Sequence, residues 1–88
     1  MTNDRVSFDK LTIDNYSAWK FQMKLYLNSK GLFSIVDKSE GEPEDQTENA
    51  EYLERAERAF TIIGLSVSSS LVYRISDSLT ASDAWAKL

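Results

Sequence analysis

The sequence predicts an all-α fold, a small orthogonal bundle of about four helices. Three glycines and one proline in 88 residues leave room for few turns, so a small number of long elements is expected. Apolar residues recur at intervals of three and four in two separate stretches, the period of a helix that buries one face. Short polar residues suited to N-caps stand ahead of the first and last helical stretches. At this length roughly 60–65% of the unfolded chain's surface is buried on folding, enough for one thin core. Hydrophobic residues make up 42% and charged residues 27% of the chain, a globular rather than a disordered balance.

Residues 1–14 are polar and mixed in charge, with Phe8, Leu11 and Ile13 as the strong apolar anchors. They are expected to form an extended arm that docks on a single helical lobe spanning residues 15–88. Asp14 or Asn15 supplies the first N-cap, because a short side-chain acceptor can take the free amides of the first turn. Tyr16, Trp19, Met23 and Tyr26/Leu27 then form one face of a helix over about residues 16–30, with Phe21 and Leu25 widening the stripe. Lys20, Gln22, Lys24 and Asn28 fall mostly toward water. Gly31 stands where a left-handed C-cap costs least, and Leu32 is placed to fold back on the last turn.

The run LFSIVD at 32–37 is compatible with one helical turn or a brief strand, which periodicity cannot separate. Acidic residues then crowd around the proline and a glycine, which predicts an exposed, mobile acidic loop at about 37–49. Helical spacing returns over 50–65, with Leu53, Ala56, Phe60, Ile63 and Val67 on one stripe. Glu51 with Arg55 and Glu54 with Arg58 stand as i,i+4 pairs, each worth ~0.2–0.5 kcal/mol. Gly64 and the serine-rich run 66–70 interrupt or end that helix, and Leu71, Val72 and Ile75 suggest a short further one. Thr80, with Asp83 three residues on, opens a last helix carrying Trp85 and Leu88. That helix is expected to run on past Leu88.

Composition narrows the chemistry. The chain holds no cysteine and no histidine, so disulfides, thiolate zinc sites and Cys or His nucleophile–base pairs are impossible within it. Calcium-loop and phosphate-loop spacings are absent, and the expectation is a non-enzyme with no cofactor and no metal. A net charge of −4 repels phosphate backbones and argues against strong direct nucleic-acid binding by this fragment. No apolar run approaches the ~18 residues that span a bilayer, and the N-terminus lacks a signal peptide's apolar region, so a soluble, cytoplasmic protein is expected.

The aromatic stripe at 16–27 has three readings: a core face, an exposed partner groove, or a platform for stacking bases. Stacking needs exposure and surrounding cations, and Lys20, Lys24 and Lys30 lie nearby. A core this thin needs the area of those rings, and the core reading is favoured. Trp85 is read in the same way. The serine run has no base to activate a nucleophile, and a helix break accounts for it better.

The order of the motifs carries more than any one of them. F-x-x-L-x-x-x-N-Y-x-x-W-x-x-x-M-x-x-x-L is followed by K-G-L-F-x-x-V, an acidic spacer, A-x-x-x-I at Ala59 and Ile63, and L-T-A-S-D-A-W-x-x-L. This series, from Phe8 to Leu88, resembles the N-terminal Gag region of copia-type long-terminal-repeat retrotransposons. Phe33 stands where family members often carry tryptophan. The resemblance implies a helical capsid lobe that packs against copies of itself in a virus-like particle around the element's RNA. Its basic or zinc-knuckle RNA-binding segment is missing from this sequence, so a lobe of a longer Gag, or of a host gene derived from one, is expected.

The signature and core positions so implied are Leu11, Tyr16, Trp19, Met23, Leu27, Gly31, Leu32, Ala59, Phe60, Ile63, Ala81, Trp85 and Leu88, with Thr80 in the closing motif. The candidate self-association surface comprises Lys20, Lys24, Arg55 and Arg58 on the outer faces of the two long helices, together with the loop at 37–49. The implied partners are the chain itself and the remaining Gag segments, with no membrane. The alternative is a domesticated Gag lobe that holds a partner peptide in an apolar groove between helices.

Overall fold

The computed structural model describes residues 6–88. Four α-helices follow in chain order: α1 (Tyr16–Ser29), α2 (Phe33–Val36), α3 (Gln46–Leu65) and α4 (Ala81–Lys87). A 3-10 turn at Val72–Arg74 lies between α3 and α4. Among the described residues there is no strand, only an isolated parallel bridge between Leu11 and Val67. α3 packs most extensively on α4, while α2 touches α1, α3 and α4. The first five residues of the expected arm lie outside the described residues.

α1 buries Trp19, Met23 and Leu27, at spacings that place three side chains on one side of the helix. Tyr16 departs from expectation: it sits in the first turn, beyond the end of the buried stripe, and is 44% exposed. Phe21 and Leu25 do not widen the inward stripe either, being 63% and 51% exposed. At about 100° per residue Phe21 lies about 200° round from Trp19, on the far side of the helix.

Asn15 is the N-cap residue, yet its side chain caps nothing. Its Oδ1 accepts from the Thr12 amide at 2.7 Å and its Nδ2 donates to the Lys10 carbonyl at 2.9 Å, so it shapes the incoming chain instead. The other end follows the expected form. Gly31 has φ +69°, its amide donates to Asn28, and the Leu32 amide reaches back to the Leu27 carbonyl at 2.8 Å. That is the Schellman pattern, and it buries Leu32.

LFSIVD forms a helical turn rather than a strand. α3 begins at Gln46, four residues before the expected start. Asp45 Oδ2 accepts from the amides of Thr47 and Glu48, so the end of the acidic segment is a helix cap and first turn. The buried residues of α3 are Ala59, Ile62 and Ile63; Ala56 and Phe60 are half-buried, and Leu53 is 50% exposed. The apolar stripe therefore turns inward only in the second half of the helix.

The arm docks through Leu11, which is 3% exposed, and through Phe8, whose ring meets Tyr26 edge-on at 6.4 Å. Ile13 stays in solvent. The Leu11 amide donates to Ser66 O at 2.8 Å, and Trp19 Nε1 donates to the same carbonyl at 3.0 Å. The end of α3 thus holds both the arm and α1. Thr80 Oγ1 accepts from the Asp83 amide at 3.1 Å and caps α4, as the sequence predicts. Ala81 and Ala84 form its buried face, with Trp85 and Leu88 packed partly buried against the core.

Candidate functional site

Three surface features carry chemistry. The first is an aromatic cluster where α1, α2 and α4 meet. Trp85 lies 6.0 Å from Trp19 and 5.6 Å from Phe33, the latter edge to face. Lys20 Nζ stands 4.2 Å from the centre of the Trp85 ring and donates to the Trp85 carbonyl at 3.3 Å. Lys20 therefore bridges α1 to the last turn of α4 rather than pointing freely into water. Lys24, one turn on, is exposed and holds its ammonium 5.7 Å from the Phe33 ring.

The second feature is a three-way tie built on Arg55. Its guanidinium makes a paired contact with Glu40, Nη1 to Oε2 at 2.7 Å and Nη2 to Oε1 at 3.0 Å, and Nη2 also donates to Gly31 O at 2.6 Å. Ser34 Oγ completes the site by donating to Glu40 Oε1 at 2.8 Å. The Arg55 hydrogen bonds, then that of Ser34, hold the Glu40 carboxyl below its ordinary range, and Glu40 in turn raises Arg55. Residues 37–45 are tied to α2 and α3 at Glu40, and Asn49 Nδ2 donates to Glu42 and to the Pro43 carbonyl. Arg55 is hydrogen-bonded to Glu40; Glu51 adds only a weaker Coulombic pull. Arg58 is half-buried beside Glu51, Glu54 and Arg55.

The third feature is a groove between α2, α3 and the start of α4. Two adjoining depressions of about 350 and 320 Å³ share Leu53, Ala56, Thr80 and Ala81. Ile35 lies at one end and Phe60 at the other; the exposed Leu79 stands beside Phe60. Glu42, Glu57 and the paired Glu40 line the edges, with Lys38 the basic residue there. Among the described residues no cluster of His, Cys, Asp or Glu is arranged to hold a metal ion. No described helix is long and apolar enough to cross a membrane.

A family model for the gag-polypeptide of LTR copia-type matches residues 23–88. The chain belongs to this family. No curated protein and no solved structure matches it. The copia-type Gag match takes in Met23, Leu27, Gly31, Leu32, Ala59, Phe60, Ile63, Ala81, Trp85 and Leu88, and begins after Leu11, Tyr16 and Trp19. The N-Y-x-x-W opening thus lies outside the matched segment, although Trp19 is among the most deeply buried side chains.

Of the four cations singled out in this Gag chain, Lys20 and Arg55 are committed to contacts within the lobe, and Lys24 is the exposed one. Sequence reasoning offers an apolar groove between helices as an alternative without placing it, and misses the role of Glu40. Nothing in the order of residues distinguishes Glu40 from the acids around it. The outward pair Phe21 and Leu25 did leave a signal, their position on the helical wheel opposite Trp19 and Met23.

Proposed function

We propose that this copia-type Gag lobe is a structural capsid domain that self-associates, as part of a longer Gag polypeptide, into cytoplasmic virus-like particles that enclose the element's RNA. The observation that carries the reading is the double-sided character of α1. One side supplies Trp19, Met23 and Leu27 to the core, and the opposite side presents Phe21 and Leu25 to solvent. A helix apolar on both sides is suited to a second partner, and a shell offers one in every copy. Individual contacts need only be weak, because multivalency and closure add them up. The net charge of −4 leaves RNA contact to other Gag segments.

Sedimentation velocity across a wide concentration range tests the reading. Species larger than a monomer are expected to grow in with concentration. A strict monomer at all concentrations overturns it, and favours the second reading, a domesticated lobe that binds a partner peptide. The groove beside Leu53 and Ala81 supports that alternative.

A further inference from the structure

α1 and the groove complement each other in shape and charge. Phe21 and Leu25 stand one turn apart, about 6 Å along the axis, on the same side of α1. The groove offers two adjoining depressions floored by Leu53, Ala56 and Ala81. An i,i+4 pair of anchors set into an apolar groove is a recurrent way for a helix to dock. From Tyr16 to Ser29 the sequence contains Lys20 and Lys24 and no acidic residue. Lys20 is held on Trp85; Lys24, three residues from Phe21, is the exposed charge that flanks the anchors, with its ammonium 5.7 Å from the Phe33 ring and a weak pull on Asp37. The groove edge has the opposite sign. Glu40 is neutralised by Arg55, and the exposed Glu42 and Glu57 outnumber the exposed Lys38 there, so the edge is acidic on balance.

We propose that the groove between α2, α3 and α4 of one copy receives the outward side of α1 of a second copy, with Phe21 and Leu25 as anchors and Lys24 against the acidic edge. This contact rests on the self-association reading and assigns it to two faces. No groove-lining residue belongs to α1, so one molecule can use both faces at once. Such a contact is heterologous: repeated, it closes into a ring or continues as an open assembly. A two-fold pairing of α1 with α1 would instead bring Lys24 and its counterpart onto one shared face and leave the groove empty.

The test uses full chains that lose one face each. Phe21→Asp with Leu25→Asp removes the anchors, and Leu53→Glu with Leu79→Glu spoils the groove; all four positions are at least half exposed. Thermal melts by circular dichroism establish that both variants fold. Each variant alone is expected to associate ~10-fold or more weakly than the unaltered chain. An equimolar mixture of the two, measured by size-exclusion chromatography with light scattering, is expected to form a dimer and nothing larger, since one intact contact remains per pair.

Lys24→Glu, which leaves both apolar faces intact, is expected to weaken association as well. If the groove variant assembles like the unaltered chain while the anchor variant does not, α1 pairs with itself and the proposal is wrong. If neither variant affects assembly, self-association stands but these faces do not carry it. If the unaltered chain is monomeric throughout, both the contact and the self-association reading fall.

Discussion

Gly31 and Trp19 show how single residues hold this lobe. Gly31 sits at φ +69°, and a methyl group built there meets nothing within 4 Å. The cost of Gly31→Ala is therefore backbone conformation alone, expected at about 1–2 kcal/mol by denaturant titration. A variant as stable as the parent would mean that the Schellman turn does not require the left-handed region. Trp19 is 1% exposed and gives its indole N–H to Ser66 O. Trp19→Ala is expected to cost ~3–5 kcal/mol and to unfold much of the chain; a folded variant that merely failed to assemble would overturn the core role. Trp19, Met23 and Leu27 were legible because a 3.6-residue period states which residues share a side. That period does not say where the stripe begins or how wide it is, and so cannot tell that Tyr16, Phe21 and Leu25 lie outside the core.

The caps decide the elements. α4 has only seven residues, and Thr80 Oγ1 satisfies one of its free amides. Thr80→Ala is expected to lower stability by about 1 kcal/mol, read as a reduced melting temperature. Because Trp85 and Ala84 hang on this helix, its loosening should also expose Trp85, visible as a red shift in fluorescence; an unchanged melt would show packing, not capping, to hold α4. The T-x-x-D pattern was readable because it stands directly before an apolar stretch. The start of α3 was not, although Asp45 and Glu48 have the same spacing. Its first turn, Gln46 to Asn49, has no apolar residue to display a period, and the surrounding acids look like loop. The reading of LFSIVD stayed open between helix and strand, because six residues are too short for either period to be counted.

At the scale of the molecule, the tie between Glu40 and Arg55 joins the end of α1, the loop and α3, and makes stability respond to pH. Glu40 binds its proton less readily in the folded state than in the unfolded one, because Arg55 and Ser34 donate to the carboxylate. A carboxyl depressed by folding contributes stability that is complete above the ordinary glutamate range and is lost as pH falls through the folded-state value. Glu40→Gln is thus expected to be less stable than the parent near neutrality, with the gap closing as the solution is acidified through and below that range. Asp77, lowered by Lys87, moves in the same direction and is common to both proteins, so the difference isolates Glu40. A gap independent of pH would remove the electrostatic account of the tie. Helix number and class were visible in local patterns, and the order of motifs pointed to the copia-type Gag family. The tie and the lining of the groove were not visible, because each joins residues from segments far apart in the chain, and which ones meet is decided by how the helices pack.

The Ser66 carbonyl has a consequence for the order in which the chain is assembled. Its two donors, the Leu11 amide and the Trp19 indole, come from the beginning of the chain, and Trp19 lies 47 residues upstream. A growing polypeptide has made all of α1 long before that acceptor exists. Until Ser66 and Val67 emerge, the indole N–H of Trp19 lacks its carbonyl partner and the arm has no bridge to close. The arm and the indole of α1 thus gain their shared acceptor only once the end of α3 has been made.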